Sequence, residues 1–150
     1  MNATVLCLLF VVNADPDCPK AGPEVRVTVI GFLAHQRDKE VHPKAAGIAK
    51  LVQTKDKSLT GFDMARTTSK SVPVGDEALF PVCKQCKFKV RVRVEQSGDG
   101  RISLTVEPPK HEGSVTYSCK CGAFVPLMTR CVTPDGGKLV IAVMAKPCRK

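Results

Sequence analysis

Tryptophan is absent from the 150 residues, tyrosine occurs once, and aromatic residues make up 5% of the chain. No aromatic interleaves with the cations on the charged face described below, so the sequence lacks the stacking platform that single-stranded nucleic acid requires. It has no recognised nucleic-acid motif either, and nucleic acid is not the expected partner. Long apolar runs are also missing. The longest near the N-terminus, Val5–Val12, has eight residues, against the roughly 20 that a membrane-spanning helix needs. No transmembrane segment is expected.

Asparagine occurs only at Asn2 and Asn13, so residues 15–150 offer no N-glycosylation acceptor. Catalytic signatures are scarce. The three histidines, His35, His42 and His111, fall in stretches that read as loops, and none stands beside a Ser, a Cys or paired carboxylates in a telling spacing. There is no His-Glu-x-x-His and no glycine-rich phosphate loop. The expectation is a non-enzyme without a cofactor.

Acid is in deficit: 14 Asp and Glu stand against 23 Lys and Arg, a formal net charge of +9. A surplus of that size attracts anionic partners over distances set by salt.

The short apolar run Val5–Val12 is followed by Asn13 and Ala14. This matches a secretory signal with cleavage after Ala14, apart from an n-region without Lys or Arg. Residues 1–14 therefore read as a signal peptide and 15–150 as one secreted, extracellular domain. Cysteine usage agrees. Cys18, Cys83, Cys86, Cys119, Cys121, Cys131 and Cys148 lie beyond the cut, and several disulfides are normal for a small exported domain. Seven is odd, which leaves one thiol free or available for a disulfide-linked dimer. Cys119 and Cys121, two apart on a strand, are expected to bond different partners. Cys148 is expected to tie down the tail. Without a signal, Cys83, Cys86, Cys119 and Cys121 read instead as a four-cysteine zinc module inside a cell.

The clearest pattern runs from Cys83 to Pro109. Phe88, Val90, Val92 and Val94 alternate with Lys87, Lys89, Arg91 and Arg93, and Ile102, Leu104 and Val106 repeat the period beyond Ser97-Gly-Asp-Gly100. Period-two alternation separated by residues tolerant of positive φ predicts a β-hairpin with one apolar and one cationic face. Glu24–Phe32, Ser71–Val82 (an interrupted edge), Ser114–Gly122, Ala123–Val132 and Leu139–Ala145 read as further strands, the last apolar throughout and therefore central. Ala45–Thr54 is ambiguous and is assigned as strand, while Lys55–Lys70 reads as a long surface connection.

These elements predict an all-β, disulfide-stabilised antiparallel β-sandwich or small barrel with little or no helix. The function expected is binding. Lys84, Lys87, Lys89, Arg91 and Arg93 put five cations into ten residues as candidates for binding an anionic glycan, an anionic surface or another protein. Lys87, Lys89, Arg91 and Arg93 share one strand face as a stripe, unless neighbours such as Glu107 across the hairpin neutralise it. The rival reading is an extracellular carrier of a lipid or other hydrophobic small molecule, lined by Leu104, Val106, Phe124, Ile141 and Val143.

Overall fold

Alternation becomes architecture first in the hairpin. The computed structural model describes residues 23–84, 87–98, 100–109 and 113–148. Strands β4 (Lys89–Gly98) and β5 (Arg101–Glu107) pair antiparallel, with Arg91 opposite Glu107 and Val94 opposite Leu104. Their valines, with Ile102 and Leu104, point inward and are fully or almost fully buried. Gly100 takes a φ of +71° in the turn, where an L side chain would be strained. β3 (Glu77–Pro81) pairs with β4, and β6 (Val115–Lys120) with β5, giving a sheet of order β3-β4-β5-β6.

The second sheet has the order β2-β1-β8-β7, built from β1 (Glu24–His35), β2 (Gly61–Pro73), β7 (Val125–Val132) and β8 (Lys138–Pro147). All strand pairings within both sheets are antiparallel. The apolar inner faces of the sheets share one core that includes Val25, Val27, Phe80, Leu104, Ile141 and Val143. This is the expected sandwich. It is closed along one side, where Lys70 Nζ and Thr68 Oγ1 of β2 donate to the Leu79 and Pro81 carbonyls of β3 at 2.5 and 3.1 Å.

Two assignments are corrected. Ala45–Thr54 is not a strand: Pro43–Ala45 forms a short 3-10 turn, and α1 spans Ala46–Lys55. Ile48, Ala49, Leu51 and Val52 are its buried residues, spaced as one helical face requires. Ile48, Ala49 and Val52 pack with Ile30, Phe32, Phe62, Val140 and Ala142 in a second cluster. The sheet holding β1 and β8 is thus covered on both faces, by the other sheet and by the helix. That is why Leu139–Ala145 carries no polar position. Lys55–Lys70 is likewise no simple connection, because β2 begins at Gly61 and runs for 13 residues.

The turn Thr133–Gly137 forms as its composition predicts. The Gly136 and Thr133 amides donate to the Thr133 and Gly137 carbonyls at 2.9 and 2.8 Å.

Candidate functional site

On an extended strand alternate residues share a face at a spacing of about 6.6–6.8 Å. Lys87, Lys89, Arg91 and Arg93 are all exposed on the outer side of the β3-β4-β5-β6 sheet. The register that aligns them also brings acids alongside. Arg91 lies 3.2 Å from Glu107 on β5 and 3.6 Å from Glu77 on β3, and Arg93 Nε lies 3.5 Å from Glu95. Such exposed pairs contribute about 0–1 kcal/mol each to stability, but they remove two of the cations from the open field. Among the described residues, neither Lys87 nor Lys89 has a carboxylate within 4.0 Å.

The half of the stripe that keeps its charge borders a shallow groove of about 360 Å³. Its lining joins Lys87, Lys89 and Arg91 to Leu79, Phe88, Glu107, Pro108 and Pro109. Leu79 is 43% exposed there, an apolar side chain set among cations. Sequence reading found the cations and missed the apolar floor. The missed signal was Pro108-Pro109, which reads as a strand terminator and also supplies a rigid wall.

Lys84 does not join the stripe. The chain after β3 carries it to a different pocket, lined by His42, Met64, Ala65, Arg66 and Thr67. The five-cation array is therefore divided between two places.

The histidines differ from expectation as well. His35 is no surface loop residue: it ends β1, is 3% exposed, and places Nε2 3.1 Å from Asp63 Oδ2 on β2. Its Nδ1 is buried with no hydrogen-bond partner among the described residues. A Cβ on Gly61 would meet this ring at 2.2 Å, so glycine there leaves room for the imidazole. Arg37 lies 4.0 Å from Asp63 and 3.9 Å from Asp135, which extends the pairing to the β7–β8 turn. The Thr133 hydroxyl, donating to Asp135, is the chief cause holding that carboxyl below its usual range. His42 caps the 3-10 turn. His111 lies outside the described residues.

Cysteine chemistry is reassigned in part. Cys83 and Cys121 are disulfide-bonded. Cys119 and Cys148 carry free thiols, where the sequence count allowed one unpaired cysteine. Cys119 faces the core, 5% exposed, with its Sγ donating to the Ile102 carbonyl at 3.5 Å. Burial pushes its thiol up to about 11 from an ordinary 9.0, and Arg101 draws it back only partly. The tail is tied by backbone in place of a bridge: the Cys148 amide donates to the Glu24 carbonyl at 3.0 Å. Cys131 is a buried residue of β7, and Cys18 and Cys86 lie outside the described residues.

A zinc module would need thiolates, and Cys83 and Cys121 have none to offer while bridged. Among the described residues no three His, Cys, Asp or Glu side chains converge to hold a metal ion. Of the residues assigned to a lipid cavity, Leu104, Val106, Ile141 and Val143 are 0% exposed and packed in the common core. Phe124 is 42% exposed. No helix among the described residues is long and apolar enough to cross a membrane.

Comparison with family models, with curated proteins and with solved structures finds no match for this chain.

Proposed function

We propose that the chain is an exported, disulfide-stabilised, non-catalytic binding domain that holds an anionic macromolecule at the Lys87–Lys89 end of its cationic strand. The observation that carries this reading is the contrast along the strand. Arg91 and Arg93 lie within 4.0 Å of carboxylates, while Lys87 and Lys89, which border the groove with Glu107 and Arg91, have none that close among the described residues. Leu79 and Phe88 in the same lining add apolar contact, which favours a partner chain over a free ion. Export rests on the pattern of residues 1–14, outside the described residues, and on the bridged Cys83 and Cys121, which an oxidising compartment supports. Cys148, partly exposed and unbridged, is the thiol open to an intermolecular disulfide.

Chromatography on immobilised heparin, a sulfated polyanion, tests the binding half. The double variant Lys87→Ser/Lys89→Ser is expected to elute at clearly lower salt, with the slope of log affinity against log salt reduced by about 1 per lysine removed. Lys50→Ser/Lys57→Ser removes the same charge from exposed positions on the helix side and is expected to elute almost with the parent. Equal losses in the two variants would reduce the effect to net charge and sink the proposal.

The export half is read by intact mass before and after reduction. The expected result is loss of residues 1–14 together with bridges at Cys83 and Cys121. A full-length, fully reduced chain would overturn it.

A further inference from the structure

The pocket that receives Lys84 has a chemistry of its own. The β1–β2 register runs Gly31 opposite Arg66 and then Phe32 opposite Met64, so Ala65 is an extra residue in β2. Such a bulge bends the edge and re-aims the side chains beside it. Next to it, residues 40–42 add briefly to β2: the Phe62 amide donates to the Glu40 carbonyl and the His42 amide to the Phe62 carbonyl, each at 2.9 Å. Pro43 then turns the chain into the 3-10 turn. His42, Arg66, Thr67 and Lys84 thereby come to line one space of about 730 Å³.

Every ionisable group in that lining is basic. Among the described residues, no carboxylate lies within 4.0 Å of Arg66 or Lys84, unlike Arg91 and Arg93. The Lys44 amide donates to His42 Nδ1 at 3.2 Å, so the neutral ring carries its proton on Nε2. The pocket therefore offers a planar guanidinium fork, a mobile ammonium and an imidazole N–H. That set matches a compact multiply charged acceptor: Arg takes two oxygens in parallel and Lys adds a point charge. Carbonyl or apolar ligands would leave both cations uncompensated.

We infer that the His42–Arg66–Lys84 pocket binds a tetrahedral oxyanion, the sulfate or phosphate group of a larger ligand. This site is separate from the Lys87–Lys89 groove, since the two linings share no residue.

The test is a backbone-amide and imidazole NMR titration of the whole protein with inorganic sulfate and, separately, inorganic phosphate, at ionic strength held constant with chloride. Saturable shifts are expected at residues 64–67, at Lys84 and at His42, and the tighter of the two anions identifies the group preferred. Arg66→Ser/Lys84→Ser is expected to weaken binding at least tenfold with its thermal midpoint kept, because both side chains are exposed. Arg66→Lys/Lys84→Arg should retain binding within a few fold. Lys87→Ser/Lys89→Ser should leave the titration unchanged, so failure of the groove reading and failure of this one remain distinguishable. Equal shifts with chloride alone, or unaltered binding in Arg66→Ser/Lys84→Ser, would overturn the inference.

Discussion

From below pH 9 to above pH 11 the folded protein is expected to lose about 3 kcal/mol through one buried thiol. Cys119 sits in the core with its folded-state value pushed up to about 11, against 9.0 when solvated. A group whose folded value is raised binds its proton more tightly in the native state. Its contribution is therefore complete below pH 9 and is withdrawn as the solution passes through 11. Two units correspond to about 3 kcal/mol at about 1.4 kcal/mol each, a large share of a typical domain's stability.

Lysines and other thiols titrate in the same window, so the measurement is a difference. Urea unfolding of the parent and of Cys119→Ala would be compared from pH 8 to pH 11.5. The two curves should converge as the parent loses its extra term. Alkylation at pH 8 should modify Cys148, which is partly exposed, and spare Cys119 until the protein unfolds. Parallel stability curves would show that the thiol ionises in place without penalty.

How much of this was legible depended on whether a residue's environment is set locally. The Val90–Val94 alternation specified the first half of β4, because each valine meets the same core and each cation meets solvent, but not its continuation past the register shift after Val94 to Gly98. Leu139–Ala145 was legible as a central strand for a related reason: two buried faces leave no place for polarity. β2 was not legible. It is an edge strand whose middle, from Asp63 to Ser71, has no fully buried residue, so no period survives in its sequence. α1 was missed because Gly47, Val52 and Thr54 weaken a helical reading, and only the bare face of the neighbouring sheet decides the matter. At the site, the cations were visible and the pairing of the two arginines with carboxylates was partly so. Glu107 follows from the hairpin register, but Glu77 reaches Arg91 only through β3, whose register the sequence does not set. Lys84 was grouped with the stripe's cations because it is close in sequence. The turn of chain after β3 separates it.

That same turn of chain depends on one glycine. Gly31 lies on β1 opposite Ile141, on the face that packs against the other sheet between Val29 and Leu33. A Cβ built there would stand 1.9 Å from the Val82 carbonyl oxygen and 2.9 Å from its carbonyl carbon. Val82 is fully buried and its amide donates to the Phe88 carbonyl, so this backbone is fixed by the loop that follows β3. The obstacle is main chain, and no rotamer change relieves it. Gly31→Ala is therefore expected to cost about 3 kcal/mol, at the upper end of the usual overpacking range, read as a fall in the urea midpoint. It should also shift amide signals near Val82 and Phe88, where a conformational effect confined to β1 would not. Gly47→Ala is the counterpart. It lies in α1 with nothing within 4 Å of an added Cβ, and it is expected to stabilise by about 0.5 kcal/mol through reduced freedom of the unfolded chain. Opposite signs from the same chemical change would place the constraint at the crossing of Val82 over β1, the contact that delivers Lys84 to one pocket and Lys87 to the other. A Gly31→Ala protein as stable as the parent would mean that the crossing is loose.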